Sequence, residues 1–243
     1  MIASLGMYDR VETAAANDAL WAGIRQGLGF GPHDLDRTSD FWDIWQSPDL
    51  LFSQTCGMPY RTKLHGSVQL IGTPDYGLPD VPPGYYYSVM VVRSGDSSDF
   101  GEYQERKLAY NGPDSQSGWA APQNYAAELG FRFENLFCSG GHLASATAVA
   151  NGEADIAALD AVTWDLISAY EGVAKDLKVV QKTTPTPGLP YITSRAQDAG
   201  AVFAAAQASI QGLNTEQRDV LRLKGIVSID AATYLEVPTP AAP

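Results

Sequence analysis

Two serines and a glycine in one short turn supply the chain's most suggestive chemistry. In Tyr110-Asn111-Gly112-Pro113-Asp114-Ser115-Gln116-Ser117-Gly118-Trp119, the hydroxyls of Ser115 and Ser117 fall where a strand ends and a helix begins. A helix start leaves its first amides without carbonyl partners, and hydroxyls beside them make a cradle for an oxyanion. Serine and aspartate at such a place also serve as plain N-caps, so capping and anion binding both fit this stretch taken alone. Further along, Ser139-Gly140-Gly141-His142 opens a second helix and Asp160 closes a strand. Ser117, His142 and Asp160 also have the chemistry of a nucleophile, a base and an orienting group. The serine turn, however, lacks the Gly-x-Ser-x-Gly elbow of hydrolases.

These residues need strands and helices to hold them, and the chain alternates the two. Ile2 to Met7, Leu50 to Phe52, Ser67 to Ile71, Lys107 to Tyr110, Phe131 to Cys138, Glu153 to Leu159, Leu177 to Val180 and Tyr191 to Thr193 read as strands. Thr13 to Leu28 reads as a helix with Leu20, Trp21, Ile24 and Leu28 on one face, stopped by Gly29. Helices follow over about 117–129 with Pro122 bending the start, from His142 to Ala150, over 162–170, 196–213 and 215–223, before an extended tail. Tyr85 to Arg93 is apolar on both faces and reads as a strand crossing between lobes. Pro-rich Gly72 to Gly84 and Thr183 to Pro190 mark connections. Such alternation implies an α/β class with mostly parallel sheets, whose ligands sit beyond the C-terminal strand ends.

Composition narrows the functions. With 243 residues and a net charge of −12, the chain has no basic stripe for nucleic acid. No apolar run reaches the ~20 residues that span a membrane, and no leader precedes Ile2. Cys56 and Cys138 have no metal-ligand spacing, and burial is their expected role. No nucleotide-binding glycine loop is present, because Gly27 to Gly31 closes a helix rather than opening one.

The Asp114-Ser115-Gln116-Ser117-Gly118 turn, the Ser139-Gly140-Gly141-His142 turn and the strand Gly152 to Asp160 stand in the order and spacing of one family. The chain resembles the phosphate/phosphonate-binding proteins of ABC transporters, which have the type II periplasmic binding protein fold. That resemblance implies two α/β lobes of mostly parallel sheet flanked by helices and joined by a hinge of two crossing segments. Lobe one would be 1–86 plus 190–243 and lobe two 87–189, with the ligand cleft between them. It implies a solute-binding protein, not an enzyme, closing on phosphate, phosphite or an alkylphosphonate, with an ABC permease as partner. Carried over to this chain, the ligand-binding residues are Ser115, Gln116, Ser117, Gly118, His142 and Asp160 in lobe two. Tyr8, Gln54 and Thr55 come from lobe one and Tyr86 from near the hinge; Tyr76 is a weaker candidate. No cofactor, metal, catalytic residue, nucleic-acid partner or membrane insertion is expected, and the protein is expected to be a monomer. Cys56 and Cys138 would fall in different lobes and stay free thiols. The resemblance points to the periplasm; the missing leader leaves the cytoplasm open. A hydrolase using Ser117, His142 and Asp160, or an intracellular anion sensor, is the alternative.

Overall fold

The computed structural model describes residues 1–243. The chain divides into two compact units, Met1–Tyr85 with Pro187–Leu235, and Tyr86–Thr186 with Glu236–Pro243. It changes unit three times, and the last eight residues group with the second unit, although the sequence reading put them in the first lobe. Backbone carbonyls explain the difference: Asn124 Nδ2 donates to Pro238 O at 2.8 Å, and Arg132 donates to Ala241 O and Ala242 O.

The first unit begins with β1 (Ile2–Ser4), α1 (Ala14–Leu28), α2 (Phe41–Trp45), β2 (Leu50–Gln54), α3 (Gly57–Pro59) and β3 (Val68–Asp75). Gly29 ends α1 at φ 76°, a left-handed conformation that glycine adopts without a Cβ penalty. The link β4 (Tyr85–Tyr86) leads to β5 (Ser88–Arg93), β6 (Leu108–Tyr110), α4 (Ala121–Glu128), β7 (Leu136–Cys138), α5 (His142–Ala150), β8 (Ile156–Asp160), α6 (Ala161–Tyr170) and β9 (Leu177–Lys182). After β10 (Thr186–Pro187), which pairs with β4, come β11 (Tyr191–Ser194), α7 (Ala199–Gly212), α8 (Thr215–Leu221), β12 (Gly225–Val227) and α9 (Ala231–Leu235).

Each unit holds a five-stranded sheet, ordered β1-β2-β11-β3-β12 in the first and β7-β6-β8-β5-β9 in the second. The α/β class holds, but the sheets are mixed where alternation led us to expect mostly parallel ones. Only β1 with β2, β6 with β7 and β6 with β8 run parallel. The strands next to the changes of unit cause this. β5 enters the second unit and β9 leaves it, side by side and antiparallel, and β3 and β11 do the same in the first. The long apolar run breaks at Tyr87, between β4 and β5.

In the first unit, Tyr191 packs into a core with Leu20, Trp21, Ile24 and Ile210, while its neighbour Ile192 joins Ile44, Leu50 and Tyr234. That period-two alternation puts a core on both faces of the sheet. In the second unit Met90, Val92, Leu108, Phe133 and Ile156 form the core. Two elements were missed in the tail, β12 and α9, because Gly225 and a five-residue helix carry too little periodic pattern to stand out. The strand expected over Phe131 to Cys138 shrinks to Leu136–Cys138. The Pro-rich stretch after Ile71 is partly strand, since β3 runs to Asp75 and pairs through Pro74 with β12. No helix is long and apolar enough to cross a membrane.

Candidate functional site

In the second unit the serine turn is built around a proline. Residues Gln116–Ala120 form a wide π turn that runs into α4, with Ala120 N donating to Ser115 O at 3.0 Å and Ala121 N to Gln116 O. The next donor in that pattern would be Pro122, which has no N–H, so the carbonyl of Ser117 loses its helical partner. The hydroxyl of Ser88, at the start of β5, donates to that carbonyl at 2.8 Å instead. The expected cost of Pro122 is thus offset by a residue that the sequence reading did not single out.

Ser115 is the N-cap: its Oγ accepts from Gly118 N at 3.0 Å. A side chain on Gly118 would place its Cβ 1.9 Å from Asn111 Oδ1 and 3.1 Å from the Asn111 backbone nitrogen, so only glycine fits. Asn111 Oδ1 is itself buried without a hydrogen-bond partner, as is Trp119 Nε1. The cap uses the Gly118 amide and leaves the Ser117 amide with no helical carbonyl behind it. Ser115, Gln116 and Ser117 are all buried.

Ser117 Oγ lies 2.9 Å from His142 Nε2. His142 is the first residue of α5, set there by Gly140 at φ 86° and by Ser139, whose Oγ is 2.6 Å from Ser145 Oγ. Burial holds the imidazole down to about 4, against the opposing pull of the Ala158 carbonyl, so the ring is neutral near pH 7. Its Nδ1 is inaccessible and meets no partner of hydrogen-bond geometry, Ala158 included.

Asp160, at the end of β8, spends Oδ1 on the amides of Val162 and Thr163, at 2.8 and 3.0 Å, as the N-cap of α6. No carboxylate orients His142 through Nδ1, so Ser117, His142 and Asp160 do not form the relay that a hydrolase would use. Asp155 pairs structurally, as its place in the strand suggested, with Arg93 at 3.2 Å and with Lys107 N at 3.0 Å. Tyr86 is buried on β4.

In the first unit a separate set gathers. Tyr8 ends the turn after β1 and packs edge-on against Tyr76, ring centroids 5.2 Å apart. Gln54, the last residue of β2, donates through Nε2 to Tyr76 OH and to Leu189 O, both at 3.1 Å. Tyr76 also meets the hydroxyl of Tyr191, whose ionisation burial pushes strongly up. The weak candidate Tyr76 is therefore the hub of this group. Thr55 is fully buried, its amide donates to Pro190 O at 3.0 Å, and its hydroxyl has no partner. Neither cysteine is buried as expected: Cys138 is exposed on the edge strand β7 and Cys56 is half-buried, both as free thiols. No group of His, Cys, Asp and Glu side chains is placed to hold a metal.

The sequence profile of the phosphonate-binding periplasmic substrate-binding proteins of ABC transporters matches residues 52–234. The chain belongs to that family. Members of this phosphonate-binding family are substrate-binding proteins and not enzymes, and membership implies a small ligand and a permease partner. Comparison with curated proteins yields no match. Among solved structures, PhnD1 from Prochlorococcus marinus in complex with methylphosphonate aligns with TM-score 0.71 at 13% identity, covering 96% of this chain and 94% of that one. The binding-protein component of an ABC phosphonate transporter from Pseudomonas aeruginosa gives 0.68 at 16%, covering 97% and 82%. A Xanthomonas citri protein bound to ATP gives 0.65 at 16%, covering 96% and 92%. At these identities the structural likeness establishes the fold, and the family rests on the sequence profile.

Proposed function

We propose that this family member binds a small phosphoryl oxyanion, namely phosphate, phosphite or an alkylphosphonate, for uptake through an ABC permease. The observation that carries the reading is the turn itself. Ser115 caps the helix with one hydroxyl while the amide of Ser117 stays outside the helical ladder, and Ser117 Oγ meets a neutral His142. Capping and anion binding are compatible there, because the cap consumes one amide only.

One helix terminus contributes about 0.3 to 2 kcal/mol to an anion, whereas micromolar binding needs about −8 kcal/mol. Hydrogen bonds to a charged group add about 1.5–3 kcal/mol each, so four or five donors are needed. Ser115, Gln116, Ser117, Gly118 and His142 are the proposed core of that set, with Asp160 and Tyr86 beside them and Tyr8, Gln54 and Thr55 serving the same ligand. Thr55 is the strongest of the last three because its hydroxyl is not already engaged. None of these residues carries a fixed positive charge, so selectivity would come from donor geometry.

Thermal unfolding with phosphate, phosphite, methylphosphonate and aminoethylphosphonate tests the reading. A true ligand at a hundredfold excess over its Kd stabilises by about 2.7 kcal/mol. Melting curves unmoved by all four anions overturn the phosphoryl assignment.

A further inference from the structure

A hydroxyl has one hydrogen to give, and at Ser117 the question is who receives it. Ser117 Oγ and His142 Nε2 are 2.9 Å apart, so one of them donates to the other. A neutral imidazole carries its hydrogen on one nitrogen and a lone pair on the other, and the surroundings of Nδ1 decide which. Nδ1 is sealed from solvent, and the polar atom it faces is the backbone carbonyl of Ala158 on β8. A lone pair held against a carbonyl oxygen is repelled, whereas an N–H is attracted even at imperfect geometry. The hydrogen therefore sits on Nδ1, Nε2 accepts, and Ser117 is the donor.

The geometry points to Ser117 as a hydrogen-bond acceptor toward the ligand, which makes the site selective for an oxyanion that still carries a proton. With its hydrogen committed to His142, the Ser117 hydroxyl presents only lone pairs. A phosphonate or phosphate with one P–OH group can donate to them. An isosteric sulfonate of the same charge has no proton to give and brings an oxygen lone pair against another. His142 is thus a positioning residue that acts through Ser117. This inference rests on the proposed phosphoryl site and adds the protonation state that the site takes.

The first test is the tautomer. Long-range nitrogen–proton correlation spectra of protein labelled at its 3 histidines, with His142→Phe assigning the signal, should show hydrogen on Nδ1 of His142. Hydrogen on Nε2 overturns the inference even if phosphonates bind. The second is titration calorimetry in mildly acidic buffer with methylphosphonate and methanesulfonate. Wild-type protein should prefer methylphosphonate by about 10- to 100-fold, the worth of one hydrogen bond to a charged ligand. In His142→Phe the Ser117 hydrogen is released, so methanesulfonate should bind more tightly and the preference should shrink to within about threefold. A purely structural histidine would not raise sulfonate affinity, and an unchanged preference overturns the inference. If methylphosphonate fails to bind wild-type protein while the hydrogen is found on Nδ1, the phosphoryl reading has failed and the inference falls with it. The direction of the Ser117 bond then stands as a structural fact.

Discussion

At the scale of single residues, His142 carries a charge question with a measurable answer. Its folded-state value lies near 4, below the ordinary 6.5, because burial penalises the imidazolium. Between those two values the unfolded chain binds more protons than the folded one, so folding weakens as pH falls. The contribution is complete above about 6.5 and lost on the way down to about 4, and amounts to about 3 kcal/mol at most. Urea titrations across that range should therefore show wild-type protein losing stability that His142→Gln retains. Equal slopes for the two proteins would mean that the ring is solvated. The residue scale is also where the sequence reading was most uneven. Ser115, Ser117 and His142 were legible because hydroxyls and imidazole at helix starts have an obvious use. Tyr76 and Asn111 were not, since a tyrosine in a turn and an asparagine after a strand are ordinary until tertiary contact gives them Gln54, Tyr191 or Gly118 as neighbours.

At the scale of elements, the π turn and β5 depend on each other. Pro122 removes the donor for Ser117 O, and Ser88, 1% exposed, supplies it from the neighbouring strand. Ser88→Ala leaves that carbonyl buried and unsatisfied, at a cost of about 1–3 kcal/mol. Chemical denaturation should show the loss, and ligand affinity should fall with it, because Ser117 sits on the same turn. Undiminished stability would place water at the carbonyl and remove the link. The sequence located this helix and its disruption by Pro122, but gave no sign of Ser88. That bond joins residues 29 positions apart, and no local pattern encodes such a partner. Asp160 teaches the converse lesson: its N-cap role was one of the readings available from sequence, and two amide bonds now occupy Oδ1.

At the scale of the whole molecule, the two cysteines belong to different units and remain thiols. Native protein without reductant should react at Cys138 quickly, and denatured protein should show both thiols. No reactive thiol after denaturation would mean that a disulfide links the two units. Exposure of Cys138 follows from strand order, since β7 is an edge and cysteine's usual preference for burial has no neighbouring strand to satisfy it there.

The sequence by itself determined the α/β class, the strand–helix alternation and the family, because hydrophobic periodicity and turn residues are local signals and the motifs lie within short segments. It also placed the hydroxyl turn at a helix start. Tertiary structure alone decided the mixed strand directions, which follow from where the chain enters and leaves each unit, and the grouping of the C-terminal tail with the second unit. It decided as well that His142 faces Ser117 while Asp160 turns to its own helix. Those are contacts between distant segments, fixed by packing and by the need to satisfy each buried polar group.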